Sequence, residues 1–334
     1  MELRCERFTA ELLDPRQRFE LTRSAVEVRW DPLTGQSSRL LPEGSLPPPA
    51  AQDLEELAQQ TRSSCPFCAE RVGRETPRFP AEVCLEGRIG IGEALLFPNL
   101  VPYAKWNSVS VYSPARHLLP LEQLTPALLG DNLTAQVEFA RAVTAHDPAS
   151  TWMSINANQL PPSGSSIFHP HLQGSAHPVP TTAQRVFAEL STKRLREYVE
   201  HERESGERLI DSSGVTWLAS FAPAGLAEIR GFIGDATTIT NLDREATAAV
   251  ASGLSNVLRL YAQLGFQSFN LALHTAGEGG DAMLLMRVVA RAYFGALQRS
   301  DVMWSERLHA EAATDINPER LAERARRVFG EAAF

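Results

Sequence analysis

No stretch of this sequence approaches the roughly 20 consecutive apolar residues that a bilayer-spanning helix requires, which argues against a membrane protein. The first residues, MELRCERFTAELLDPRQ, are charged throughout and lack the apolar core of a secretory leader. Cytoplasm is the expected compartment. Cysteine is scarce, four in 334 residues, too few for a disulfide framework in a chain this long. Basic residues are not in excess either: 32 Lys and Arg stand against 40 Asp and Glu, a net charge of −8. Bulk attraction to nucleic acid is thereby excluded, and a phosphate-bearing ligand needs a locally built site. The remaining balance, 43% hydrophobic and 22% charged, is ordinary for a globular chain. Its length allows a sizeable core, in one large domain or two smaller ones.

Residues 1–23 carry little pattern. A strand-like SAVEVRW (24–30) runs into Asp31-Pro32-Leu33-Thr34-Gly35, a turn in which Pro presets φ and Gly tolerates positive φ. The segment 42–52 reads as a proline-rich loop, and a short acidic helix leads to Cys65-Pro66-Phe67-Cys68. From about residue 90 one pattern occurs twice. EALLFPN and NSVSVYS read as strands, 122–146 as a helix and TWMSINA as a further strand before IFHPHLQGSAH. VTWLASFAP and AEIRGFIG, a helix over 242–264, then FNLALHT and AMLLMRVVAR repeat it. The segment from Ser305 to Phe329 reads as helical with a restart at Asn317-Pro318. Two α+β units joining their sheets about a pseudo-twofold axis are expected, divided as 1–195 and 196–334. The first carries His169-Pro170-His171-Leu172-Gln173 where the second carries Leu285-Met286-Arg287-Val288-Val289. One copy reads as catalytic, the other as structural.

Two thiolates on a Cys-x2-Cys knuckle supply half of a tetrahedral zinc site, and no second cysteine pair completes it. His117 and His169, each at a strand end near the same loop face, are the best candidates to close it. His171 and Gln173 lie behind a Gly164-Ser165-Ser166 loop whose N–H groups and hydroxyls can receive an anion. A neutral imidazole is a competent nucleophile toward phosphorus. Gln173 can hold a phosphate oxygen without offering an acidic proton.

Several blocks together resemble the galactose-1-phosphate uridylyltransferase family, a branch of the histidine-triad superfamily. They are Asp31–Gly35, Cys65-Pro-Phe-Cys68, Phe97-Pro98-Asn99, Ser113-Pro114 to His117, Asn158 through Gln173, and the C-terminal helices around Glu306 and Pro318-Glu319. The resemblance spans nearly the whole chain. It implies a doubled histidine-triad fold, α+β, with one continuous, mainly antiparallel sheet under packed helices. It also implies ping-pong transfer of a nucleoside monophosphate, UMP or AMP, from a nucleotide or nucleotide-sugar to a phosphorylated acceptor. His171 would attack the α-phosphate; Cys65, Cys68, His117 and His169 would bind Zn2+. Asn158, Gly164, Ser165, Ser166 and Gln173 would meet the phosphates, Asn99 the nucleoside, and Glu306 the substrate. A homodimer is also implied.

This chain departs from the family in its substrate-contacting positions. LLPEGSLPPP, after Asp31–Gly35, lacks the phosphate-binding arginines, and Leu100 replaces an acidic residue after Asn99. Met286 and Val288 stand where some members carry the histidine pair of a second metal site, although His274 remains. The lysine and glutamine that meet the hexose phosphate are not recognisable. Arg116, Arg287 and Arg291 are the cations that could compensate. The alternatives are an ADP-sugar or dinucleoside polyphosphate phosphorylase, a hydrolase (which would prefer histidine at Gln173), and a non-catalytic zinc-stabilised nucleotide-binding protein.

Overall fold

The chain opens on a hairpin whose strands, β1 (Cys5–Asp14) and β2 (Glu20–Trp30), carry no readable hydrophobic alternation because β1 and the outer part of β2 are exposed. Directly opposed charges, Glu11 with Arg23 and Arg7 with Glu27, support the pairing instead. The structure is a computed structural model and describes residues 1–234, 236–277, 282–296 and 300–332. The Asp31–Gly35 turn closes as expected. Asp31 accepts from the Leu33 N–H and the Thr34 hydroxyl at 3.0 Å each, and Gly35 takes φ +74 before β3 (Ser37–Leu40). Next come α1 (Leu54–Arg62), capped by Asp53, and α2 (Ala69–Glu75).

The first half of the main body contains β4 (Ile89–Ile91), β5 (Ala94–Pro98), β6 (Trp106–Val111), α3 (Pro126–His146), β7 (Trp152–Gln159) and β8 (His171–His177). Helix α3 starts four residues later than the sequence suggests, because Thr125 caps Leu128 N–H and Pro126 fits the first turn; residues 121–123 form a 3-10 turn. Then come α4 (Thr182–Ala188), α5 (Thr192–Ser205), β9 (Leu209–Asp211), β10 (Thr216–Ala219), β11 (Leu226–Ile233), α6 (Arg244–Gln263), β12 (Ser268–Ala276) and β13 (Met283–Arg291). The chain closes with α7 (Trp304–His309), β14 (Ala312–Thr314) and α8 (Pro318–Glu331). Strand β14 interrupts the helical run expected from Ser305 to Phe329. Ala310, at φ +53, ends α7, and β14 pairs parallel with β3.

Ten strands form one sheet in the order β4-β5-β6-β8-β7-β12-β13-β11-β10-β9, and β1-β2-β3-β14 form a smaller one. The large sheet is palindromic about the antiparallel β7/β12 seam. Helices α3 and α6 lie together on one face. Ile155, Ala157, Leu172, Leu271, Leu273, Met286 and Val288 point into the core beneath them. Alternation then sends Ser154, Asn156, Asn158, His171, Gln173, Asn270, His274 and Arg287 to the opposite face. That second face is polar, and it builds the site. Close packing fixes the helix layer: a Cβ on Gly253 of α6 would meet Trp217 Nε1 at 2.1 Å.

A buried ion network ties the N-terminal turn to the second half. Arg230 (1% exposed side chain) reaches Asp31 at 2.8 Å and Glu228 at 3.2 Å, and Arg287 reaches Glu228 at 2.7 Å. Burial alone would raise the Glu228 carboxyl, but the two arginines hold it down at about 2. Replacing Arg230 with alanine leaves buried Asp31 without a cation and Glu228 with Arg287 alone, and is expected to cost about 3–5 kcal/mol. Denaturant unfolding of the variant beside the parent protein measures this directly.

Candidate active site

The knuckle between α1 and α2 places Cys65 and Cys68 against two histidines from distant segments: His117, beyond β6, and His169, just before β8. One ligand atom from each of the four lies within 4.8 Å of all the others, and all four residues are buried. Cys68 Sγ is 3.3 Å from His117 Nδ1 and 3.7 Å from His169 Nδ1, and Cys65 Sγ is 3.7 Å from His169 Nδ1. The ring nitrogens facing away are occupied. His169 Nε2 lies 3.0 Å from the Ser113 carbonyl, so it carries the hydrogen and leaves Nδ1 with a lone pair. His117 Nε2 lies 3.0 Å from the Thr61 hydroxyl. Burial lowers His169 to about 4, keeping it neutral, and pushes the Cys68 thiol up to about 12 with Cys65 adding to the effect. Two sulfurs and two imidazole lone pairs converging on one point fit a divalent, tetrahedrally bound metal.

His171 starts β8 on the polar face. Its Nδ1 lies 2.8 Å from the His169 carbonyl, an acceptor only, so Nδ1 holds the hydrogen and Nε2 is the basic nitrogen. Gln173 Nε2 is 3.5 Å from that Nε2. Phe67 of the knuckle meets the His171 ring edge-on at 5.4 Å, so the metal knuckle also packs the neighbouring imidazole in place. Burial lowers the His171 pKa, which keeps the ring neutral. Only 4% of the residue is exposed.

Beside it lies a cavity of about 730 Å³ that crosses the β7/β12 seam. Gln173 and Asn158 line it, as do Asn107, Asn156 and Asn270, which sequence reading did not single out. Their signal was available: SINAN in β7 alternates serine, asparagine and asparagine on one face of a strand. Asn270 donates to Asn158 Oδ1 at 2.6 Å and to the Ser163 carbonyl at 3.0 Å, joining the seam to the Gly164 loop.

Other expected residues stand further off. Asn99 does not line the cavity; its Nδ2 donates to Asn107 Oδ1 at 3.0 Å, and Asn107 faces the cavity for it. Gly164 takes φ +91, the Ser165 hydroxyl donates to the Ile167 carbonyl at 2.7 Å, and Ser166 is exposed. None of these three lines the cavity. Glu306 is half-buried on α7 near Arg291, which in turn hydrogen-bonds Asn270. Of the arginines, Arg287 lines the cavity, Arg291 is clasped by Asp301, and Arg116 pairs with Glu93 at the surface. The positions matched to a second metal site need correcting. Met286 and Val288 point into the helix-side core, away from His274, so Leu285, Arg287 and Val289 are the β13 residues on its face.

No family model matches the chain. An uncharacterised protein of Archaeoglobus fulgidus is 32% identical over 322 residues, covering 92% of this chain and 94% of that protein. Among solved structures, a GalT-like protein from Arabidopsis thaliana superposes with TM-score 0.65 at 20% identity, over 90% of this chain and 98% of its own. An ADP-glucose phosphorylase from the same plant gives 0.66 at 20%, again over 90% and 98%. A uridylyltransferase gives 0.58 at 20%, over 91% and 98%. The chain belongs to one family with the archaeal protein, and its fold is that of the GalT-like proteins. Within this GalT-like fold neither the Cys65–Cys68–His117–His169 cluster nor His171 itself lines the cavity; Gln173, two residues further along β8, connects His171 to it, and the seam and the second half supply much of the remaining lining. Among the described residues no helix is long and apolar enough to cross a membrane.

Proposed function

We propose that this chain is a nucleotidyltransferase that moves a nucleoside monophosphate, UMP or AMP, between phosphorylated substrates through a covalent nucleotidyl-His171 intermediate. The observation that carries the reading is the hydrogen bond from His171 Nδ1–H to the His169 carbonyl, which leaves the Nε2 lone pair beside Gln173. Nε2 attacks the α-phosphorus and forms an N–P bond while the P–O bond to the leaving phosphate breaks, its electron pair departing with that oxygen. The imidazole keeps its Nδ1 hydrogen and becomes cationic, and the carbonyl stabilises that charge. No general acid is needed, because a phosphate monoester leaves as an anion. The acceptor phosphate then attacks in reverse and restores neutral His171. Gln173 holds a non-bridging oxygen; Asn158 meets the phosphates, with the Gly164–Ser166 loop acting at one remove through Asn270, which bonds both Asn158 and the Ser163 carbonyl. Asn99 works through Asn107 at the nucleoside, and Glu306 acts through Arg291.

Cys65, Cys68, His117 and His169 would hold zinc as a closed structural site that fixes the backbone on either side of His171. Two histidine-triad-like units, 1–195 and 196–334, and a cytoplasmic homodimer belong to the same reading. Phosphorolysis of an ADP-sugar is the second reading: Leu100 follows Asn99 here, and one protein of this fold binds ADP-glucose.

Incubation with donors labelled at the α-phosphate, UDP-glucose and ADP-glucose in parallel, is expected to leave label on the protein that survives alkali and is lost in acid. The donor that labels assigns the nucleotide. Absence of label from both at saturating concentration favours the non-catalytic nucleotide-binding alternative.

A further inference from the structure

Arg287 of β13 ends, in the second half, the sheet row that begins at Gln173 in the first, and its role is not used up by structure. Its Nε donates to Glu228, a carboxylate already held by Arg230 and by the Ala224 N–H at 2.7 Å. Phe187 lies under the guanidinium carbon at 5.5 Å. Among the described residues its two terminal nitrogens have no partner, and the side chain, 20% exposed, lines the cavity. The arginine is thus fixed at one edge and open at the other, a fork aimed by its ion pair. His274 lines the same part of the cavity. Its Nδ1 lies 2.9 Å from the Thr275 carbonyl, so the hydrogen is there and Nε2 is an acceptor. Phe187 packs on this ring as well, at 5.2 Å.

Sheet register sets the reach. Gln173 pairs with Asn156, Asn156 with Ala272, and Ala272 with Arg287, so the row runs across three strand spacings. At about 4.8 Å per spacing, the fork's backbone lies roughly 14 Å from Gln173. Ala272, in the middle, is the smallest side chain of the row and leaves the floor open. A β-phosphate on a nucleotide attacked by His171 would lie only about 3 Å from the α-phosphorus, since one bridging oxygen separates them. What reaches Arg287 is therefore the far end of the group beyond that phosphate.

We propose that Arg287 and His274 form a subsite for an anionic group, a carboxylate or a second phosphate, at the far end of the leaving group, so that the natural donors are nucleotide-linked sugars carrying such a group. The fork receives the anion's oxygens, and His274 Nε2 accepts from a neighbouring hydroxyl. This rests on the nucleotidyltransferase reading for the orientation of the donor, but its test does not need turnover.

Calorimetric titration of the full chain with glucose 1-phosphate, glucuronic acid 1-phosphate and glucose 1,6-bisphosphate decides it. One of the two anionic-ended ligands is expected to bind about 10- to 100-fold tighter than glucose 1-phosphate, as a charge-assisted bidentate contact provides. The tighter of the two names the anion. Arg287→Gln should bring both to the level of glucose 1-phosphate. Arg287→Lys keeps a cation beside Glu228, safeguarding the fold, yet loses the fork and should lose most of the preference. Equal binding of all three ligands, no binding at millimolar concentration, or a preference that survives both variants would overturn the subsite. Preference without covalent labelling would instead keep the subsite and remove the transfer mechanism.

Discussion

A His171→Gly protein is expected to lose nucleotidyl transfer by roughly 10⁴- to 10⁶-fold, the scale on which removal of a covalent nucleophile acts. Among the described residues, this ring is the one group whose lone pair is both placed beside Gln173 and freed by a backbone bond at its other nitrogen. Water could still attack a bound donor, but it would lack the positioned N–P step and the carbonyl that stabilises the cationic imidazole. Structure should survive, because the four predicted metal ligands lie elsewhere and Phe67 retains Phe97 as a partner at 5.3 Å. Rapid-quench turnover, zinc content and melting temperature, measured on one preparation, check the claim. Turnover within tenfold of the parent, at intact metal content, would end His171's role as nucleophile.

Cys65→Ser is expected to act through the other half of the same assembly. Losing one thiolate should reduce zinc from stoichiometric to a small fraction. Stability should fall by several kcal/mol, a portion of the roughly 10–16 kcal/mol that zinc supplies to peptides with no core of their own. The portion is limited because the ten-stranded sheet and its helices carry a core independent of the knuckle. Transfer should fall too, since His169 turns its ring to the Cys65 sulfur and its carbonyl to His171. A chelator should reproduce the loss in the parent protein and added zinc should reverse it. A parent protein that carries no zinc and melts unchanged in chelator would refute the metal assignment.

The repeat was legible because α3 and α6 each carry an apolar stripe, because Asp243 marks the start of α6, and because Met286, Val288 and their neighbours alternate; the Thr125 cap of α3 was not read, and the expected helix start lies four residues early. The clustering of Cys65 and Cys68 with His117 and His169 was legible from residue chemistry: a lone Cys-x2-Cys has to find nitrogen partners, and the two histidines were near strand ends. The first strand was not. Phe8, Leu12 and Leu13 are all exposed, so no buried face imposed a period on the sequence. Nor was the cavity's carboxamide lining read from the sequence, since Asn107 and Asn270 become neighbours of Gln173 and Asn158 only through sheet pairings between distant segments. The expectation for Asn99 was one residue shell too direct, and that shell, Asn107, is set by the partner strand rather than by the local motif.

The seam between β7 and β12 carries a last consequence. Because backbone hydrogen bonds run unbroken from one half of the sheet to the other, the two halves cannot swing apart like a clamshell without tearing a ladder in the middle of the protein. Access to the cavity therefore falls to its edge, where Tyr103 lines it and stands exposed on the short connection that also carries exposed Leu100 and Val101. Relatives that exchange one cargo for another would be expected to rewrite that edge and leave the seam alone.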